Sequence, residues 1–287
     1  MDLKRIGVLA HPNRPATTPV ARRVADSFEA HGFETWTRAE WVERDILSAI
    51  SESSLIVAIG GDGAMLRAAR AAALYNVPVL GINMGYLGFL TEVVNPDEWD
   101  KALEQLLNDP DVWIEQRMMI HVEARREDGE LCATSDALND VVLSRGDVTR
   151  IIRLPTYIDG HWTTTYNADA LIIATATGST AYALASGGPI LPPGLRNILV
   201  VPVAPHLSLD RPIILPEGAT VRVVIEADTN VQPILAVDGE KMCDLYAGDH
   251  ISVHASAHTA QFVRLRDRNY FYRSLLNRLE PRVDAPK

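Results

Sequence analysis

Near Val112 the chain changes texture, and that break constrains the fold more than any other feature. Before it, short β-branched runs alternate with helical patterns, which specifies a parallel sheet covered by helices. Residues 5–10, 33–36, 55–59 and 77–82 read as strands, with helices over 15–31, 39–51 and the Ala-rich 64–75. Asn95-Pro96 with Glu98 combines an N-cap, a proline at the first helical position and an acid in the first turn, which predicts a helix over 96–107. Beyond Val112 short apolar runs are broken by Gly, Pro, Asp and Asn, an all-β pattern. Its expected strands are 112–125, 137–144, 149–158, 163–166, 170–174, 197–203, 220–227, 234–237, 251–254 and 260–266, with Asp159-Gly160 as a hairpin turn. Residues 269–279 return to helical spacing.

The fold class expected is therefore α/β plus β. It comprises a Rossmann-like α/β domain over 1–115, a β-sandwich-like domain over 116–266, and a C-terminal helix in 267–287 packing back on the first domain. Composition excludes several functions. At 47% hydrophobic and 22% charged the chain is globular, not disordered. It has no apolar run near the roughly 18–20 residues of a membrane span and no signal-peptide core at its start, so a cytoplasmic protein that does not bind membranes is expected. Cys132 and Cys243 are too few and too distant in the chain for a disulfide framework or a cysteine zinc site. A net charge of −10 argues against nucleic acid as a partner, because that affinity comes from clustered Lys and Arg.

Three segments carry chemistry. Gly60-Gly61-Asp62-Gly63 joins a buried-type strand to a helix, where open α/β sheets bind ligands. Its glycines let backbone approach a phosphate at the helix N-terminus, and one carboxylate stands among them. Read by itself, the loop is equally a tight turn with an Asp cap. No Gly-Lys-Ser/Thr follows, so it is not a Walker A motif. Asn83-Met84-Gly85-Tyr86-Leu87-Gly88-Phe89-Leu90 suggests a second backbone loop at the same sheet edge, with Leu87, Phe89 and Leu90 read as core. The third is Asn167-Ala168-Asp169 followed by Thr175-Ala176-Thr177-Gly178-Ser179-Thr180-Ala181-Tyr182, whose hydroxyls suit a sugar or phosphate. His250, His254 and His258 recur every four residues, but their surroundings read as strand and turn, so no metal site is expected from protein side chains.

In this order, and with the later Pro205-His206-Leu207-Ser208-Leu209-Asp210-Arg211-Pro212, the segments closely resemble the NAD kinases over nearly the whole chain. The resemblance implies transfer of a phosphoryl group from ATP or polyphosphate to the 2′-hydroxyl of the adenosine ribose of NAD, giving NADP, with Mg²⁺ as the divalent ion. It implies a homodimer or homotetramer. Asp62 matches the catalytic carboxylate, Gly60 to Gly63 the donor loop, and Asp62, Gly63 and Arg67 nucleotide contacts. Asn139 and Asp140 fall on an Asn-Glu pair that holds NAD in a β-rich NAD-binding domain. Arg150, Asn167, Asp169, Thr177, Thr180, Ala181, Tyr182, Ala183, Leu184, Ala185 and Glu240 fall on further substrate positions. Ala64 replaces a usual Thr, Asp140 is one methylene shorter than Glu, and Ala176 replaces a common Pro. These departures motivate one alternative, a non-catalytic NAD(P)-binding sensor. A lipid or diacylglycerol-type kinase sharing the glycine loop is another, without a membrane-facing basic helix to support it.

Residues 1–115 hold 10 basic and 17 acidic side chains, against 17 and 20 in the rest. The lysines, Lys4, Lys101, Lys241 and Lys287, all lie outside the proposed loops. Phosphate must then be held by backbone N–H groups, a divalent ion and a few arginines, which predicts steep dependence on Mg²⁺.

Overall fold

A computed structural model describes residues 2–39, 43–85, 88–146, 150–226, 232–272 and 275. The chain divides into two compact units, residues 1–116 with 261–287, and residues 117–260.

The first unit is built from β1 (Arg5–Leu9), α1 (Thr17–Ala30), β2 (Glu34–Arg38), α2 (Glu43–Ser51), β3 (Leu55–Gly60), α3 (Asp62–Ala73), β4 (Val79–Asn83) and α4 (Trp99–Asn108). Strands run parallel in the order β2-β1-β3-β4. Every residue of β3 and β4 is buried, as strands with helices on both faces require. Phe28, Trp99, Leu103 and Leu106 pack with Ile6, Val8, Val57 and Ile59 in one core. Asn95 caps the turn before α4 by accepting the Asp97 N–H at 3.0 Å. The expected helix over 39–51 is described from Glu43 onward; residues 40–42 lie outside the described residues.

The second unit follows with β5 (Trp113–Arg125, starting in the first unit), β6 (Leu131–Ala137), β7 (Asp140–Arg145), β8 (Ile152–Ile158), β9 (His161–Ala168) and β10 (Ala170–Thr175). After these come α5 (Tyr182–Ala185), β11 (Asn197–Val203), β12 (Ile213–Pro216), β13 (Val221–Val224), β14 (Pro233–Val237), β15 (Glu240–Asp244) and β16 (His250–Arg264, ending in the first unit). One antiparallel sheet has the order β12-β11-β10-β7-β14-β15. A second contains β16, β13, β8 and β9, with β5 and β6 paired as a hairpin. Leu143, Leu171 and Val200 of the first sheet share a core with Leu154, Val223 and Ile251 of the second, so two sheets pack face to face. On β10 the alternate residues Ala170, Ile172 and Ala174 enter a smaller core with Ala176, Ala183 and Leu191, which buries that strand on both faces.

Asp159 and Gly160 take positive φ of 50° and 79° between β8 and β9, the hairpin their sequence predicts. Three expectations change. Residues 137–144 are not one strand: β6 ends at Ala137, Leu138-Asn139 turn, and β7 begins at Asp140. The expected strands 251–254 and 260–266 are parts of the single strand β16, which ends at Arg264. Polar β6 and β15, and the four-residue apolar β12 between Pro212 and its own Pro216, carry no apolar alternation to announce themselves. Of the expected C-terminal helix, Tyr270 and Phe271 are buried in the first unit, and residues 273, 274 and 276–287 lie outside the described residues.

Candidate functional site

The order β2-β1-β3-β4 reverses direction between β1 and β3, and ligands of open α/β sheets bind beyond the carboxyl ends of strands at such a point. There β3 ends at Gly60 and α3 starts at Asp62. The corner is tight: a Cβ on Gly60 would stand 2.7 Å from that of Ala64 and 3.4 Å from the His11 ring. No side-chain hydrogen bond caps α3, so its first N–H groups stay available to an anion. Asp62 is not the cap. Its half-buried carboxylate turns to the loop after β4, where Oδ2 accepts the Phe89 N–H at 2.7 Å and Oδ1 the Leu90 N–H at 3.0 Å. A methyl group on Gly88 would overlap that carboxylate. Leu90 is core, whereas Phe89 is partly buried, its ring 6.4 Å from that of Phe271; Tyr86 and Leu87 lie outside the described residues. What the loop offers Asp62 is backbone.

A buried charge network secures this loop from behind. The Arg264 Nη1 donates to the Leu90 carbonyl at 3.0 Å and to Glu92 Oε2 at 3.1 Å, and its Nε donates to Glu115 Oε2 at 2.8 Å. Arg266 holds the other face of Glu92, and the Tyr270 hydroxyl donates to Glu115 at 3.0 Å. Arg264 and Glu92 are buried. Burial works to raise Glu92, but hydrogen bonds from Arg266 and the charges of Arg264 and Arg266 outweigh it and hold the carboxyl below its ordinary range.

His11 and Arg14 also stand at this edge. Arg14 donates to the Met84 carbonyl at 3.2 Å, and burial, followed by the charges of Arg14 and Arg67, lowers His11. The exposed Arg67 thus shares its surroundings with two residues that sequence reasoning passed over. Their signal was position, directly after β1 at the edge that Gly60 occupies.

In the second unit, Asp238 organises the Asn139-Asp140 turn. Its Oδ1 accepts the N–H groups of Asn139 at 2.7 Å and Asp140 at 3.0 Å, and its Oδ2 that of Leu138 at 2.9 Å. Asp238 reaches them with a positive φ of 49° at the β14–β15 hairpin, followed by Gly239 at 81°. Asp140 is buried; burial first, and the nearby Asp238 second, push its carboxyl up from 3.8 to about 7. The hydroxyl-rich loop packs on the same turn: Thr175 Oγ1 donates to the Leu138 carbonyl at 2.5 Å, and a Cβ on Gly178 would overlap the Asn139 backbone. Thr177 is buried with a hydroxyl lacking a hydrogen-bond partner among the described residues. Such an orphan is paired when a polar ligand arrives.

Thr180 donates to the Thr177 carbonyl at 3.1 Å, and α5 carries exposed Tyr182 and Ala185 beside buried Ala183, with Ala181 and Leu184 partly buried. Glu240 opens β15 opposite Val237, next to Asp238. Asn167 and Asp169 flank the β9–β10 junction. The Asn167 carbonyl accepts the His206 N–H at 2.7 Å, and Asp169 pairs with Arg145 at 3.0 Å. Arg150 is exposed, and no hydrogen bond or ion pair joins it to the other candidate residues; residues 147–149 beside it lie outside the described residues. The histidines of β16 serve elsewhere. His258 and His121 each place Nδ1 2.7 Å from Asp136, and the His254 ring lies 5.4 Å from that of His121.

Residues 6–112 match the ATP-NAD kinase N-terminal domain and residues 138–265 the ATP-NAD kinase C-terminal domain. An NAD kinase of Chloroflexus aurantiacus is 39% identical over 277 residues, 96% of this chain and 99% of the relative. The chain belongs to the NAD kinase family. An NAD kinase of Ectopseudomonas mendocina is 41% identical over 248 residues, 86% of this chain and 80% of the relative. Yeast NADH kinase, solved with NADH, superposes with a TM-score of 0.85 at 25% identity, covering 99% of this chain and 89% of that one. An Archaeoglobus fulgidus NAD kinase solved with ATP shares the fold, with a TM-score of 0.74 at 23% identity over 96% of this chain and 98% of that one. Within the family, Ala64 sits where Gly60 leaves least room, so the small side chain matches its corner.

Proposed function

We propose that this chain is an active NAD kinase that moves the terminal phosphoryl group of ATP to the 2′-hydroxyl of the adenosine ribose of NAD, with Asp62 as base. The observation that carries this reading is the Asp62 carboxylate, held by two backbone N–H groups at the start of α3. Each oxygen keeps a second lone pair for a ribose hydroxyl. As the 2′-oxygen attacks phosphorus, its proton passes to Asp62 and ADP leaves, a reaction that asks for alignment and charge stabilisation more than covalent help. The uncapped N–H groups of α3, with Arg67, Arg14 and the Gly60 to Gly63 loop, suit the donor phosphates. Asn139, Asp140, Thr177, Asn167, Asp169 and Glu240 are read as NAD contacts, with Thr180 to Ala185 beside them. Their support is the shared scaffold of Asp238 and Gly178 and the orphan Thr177 hydroxyl.

Among the described residues no group of three His, Cys, Asp or Glu side chains could hold a metal ion. Mg²⁺ is read as entering with the donor phosphates, which is how nucleotide enzymes commonly carry it. Among the described residues no helix is long and apolar enough to cross a membrane. A cytoplasmic homo-oligomer, and use of polyphosphate beside ATP, complete the reading by family resemblance.

The test is to incubate purified protein with NAD, ATP and Mg²⁺ and to measure NADP. NADP should form and should fall at least a thousandfold in Asp62→Asn while NAD still binds. Absence of product with every donor, alongside tight NAD binding, would leave the sensor reading. Undiminished product in Asp62→Asn would remove Asp62 from the chemistry.

A further inference from the structure

The chain has two cysteines, 111 positions apart, and the fold of the second unit brings them together. Cys132 lies on β6 at an irregularity: Ala124 pairs with Ala133 and Arg125 with Leu131, which leaves Cys132 as the extra residue of a bulge. A bulge re-aims the side chain it carries. Cys243 lies on β15, opposite Leu235 and beside a second irregularity, where Leu235 pairs with Cys243 but Ala236 with Lys241. The strands β6 and β15 lie against each other, both cysteines rest on the same core, and the two thiols are near enough to influence each other's charge. Both side chains are only partly buried. The guanidinium of Arg126, bonded to Asp249 at 2.7 Å and to the Asp244 carbonyl at 3.1 Å, stands close enough to both sulfurs to feel their charge.

We propose that Cys132 and Cys243 form a reversible dithiol–disulfide site, oxidised by a low-molecular-weight disulfide of the glutathione class. Two neighbouring thiols, an entry path to solvent and a cation beside the sulfurs are what thiol–disulfide exchange needs. Burial, and next the Cys132 thiol, push Cys243 up to about 12; Cys132, the extra residue of the bulge and re-aimed by it, is assigned as the attacking thiol and Cys243 as the resolving one. The Cys132 thiolate forms a bond to one sulfur of the small disulfide, its S–S bond breaks, and the leaving thiolate takes up the proton Cys132 released. The Cys243 sulfur, losing its proton, then displaces the second small thiol from Cys132. Two protein thiols are oxidised, and one disulfide is reduced to two thiols.

The position has a consequence for the site proposed above. β6 runs into Leu138, Asn139 and Asp140, and β15 begins at Glu240 just after Asp238. A bond between Cys132 and Cys243 would tie the two strands that lead to this turn and its Asp238 anchor. The disulfide itself does not depend on these residues holding NAD.

The experiment exposes the full reduced chain to oxidised glutathione at a series of reduced-to-oxidised ratios and reads intact mass and non-reducing peptide maps. The expected product has lost two hydrogens, resists alkylation, yields one cross-linked peptide pair containing Cys132 and Cys243, and returns to the dithiol with excess reduced glutathione. Cys243→Ser should trap one glutathionyl group on Cys132, and Cys132→Ser should react at least tenfold more slowly. Glutathionylation of both cysteines without a cross-link, a bond between two chains, no reaction, or a bond that reduced glutathione cannot open would each overturn the proposal. Thermal midpoints of the serine variants, measured reduced, confirm that they fold. NADP formation, measured separately in both redox forms, reports on the kinase reading, and its loss in both would leave the disulfide result standing.

Discussion

The carboxylate of Asp62 fills the space that a side chain on Gly88 would need. These residues are 26 positions apart, and the vacancy at Gly88 lets the Phe89 and Leu90 N–H groups reach both carboxylate oxygens. Gly88→Ala should displace either the loop or the carboxylate. A shift near an ångström at a reacting group costs about 100-fold in rate, and a loss of that order in kcat is expected for NADP formation. The thermal midpoint should move little, since Gly88 is not buried in the core. Full activity in this variant would show that the position of Asp62 is not critical.

Arg264 joins the Leu90 carbonyl to Glu92 and Glu115 inside the first unit. Arg264→Met fills much of the same volume but leaves two carboxylates without their buried partner. Removing one member of a buried ion pair costs about 3–5 kcal/mol, and urea unfolding of the variant should show a loss in that range. A loss below about 1 kcal/mol would mean that water reaches Glu92 and Glu115.

Asp140 gives the protein a pH dependence of definite sign. Its carboxyl is near 7 in the folded chain and 3.8 in the ordinary state. Between those values the unfolded chain has released a proton that the folded chain retains, so this contribution to stability is full below 3.8, declines as pH rises to about 7, and is flat above. Asp140→Asn removes that decline. Each unit of difference is worth about 1.4 kcal/mol, so at pH 8 the variant should be more stable than the parent by a few kcal/mol, and at pH 4 the two should melt together. Equal melting at both pH values would show that Asp140 ionises freely.

Three successive N–H groups, from Leu138 to Asp140, converge on Asp238. Hydrogen bonds to a charged acceptor contribute about 1.5–3 kcal/mol each when buried; this one is half-buried, and Asp238→Ala should cost about 2–4 kcal/mol in total. Because the turn carries Asn139 and Asp140, the KM for NAD should rise at least tenfold with the KM for ATP nearly unchanged. An equal rise in both would mean that the turn does not bear on NAD.

The parallel sheet, the change to β-structure after Val112, the glycine corner at Gly60 and the hydroxyl-rich loop are all legible in the sequence. Each rests on a local pattern: period 3.6 or 2, a turn residue, a run of small side chains. Less was legible at β6 and β15, whose polar residues follow no clean alternation, at the short proline-flanked β12, and at β16, where a polar middle disguised one strand as two. Phe89 and Leu90 read as core because apolar side chains advertise burial. Nothing in their identity reveals that their N–H groups would point at a carboxylate.

Chain order and residue chemistry therefore pointed to the family and the fold class, and singled out Asp62 as the candidate carboxylate. Proximity between distant segments came only with the tertiary fold: Gly88 over Asp62, Asp238 under Asn139-Asp140, Arg264 behind Leu90, and Cys132 beside Cys243. The reason is physical. Periodicity and turn chemistry act over a few residues, whereas these pairs lie 26 to 174 positions apart. They meet because buried strands and helices pack in one register, a constraint that belongs to the whole chain.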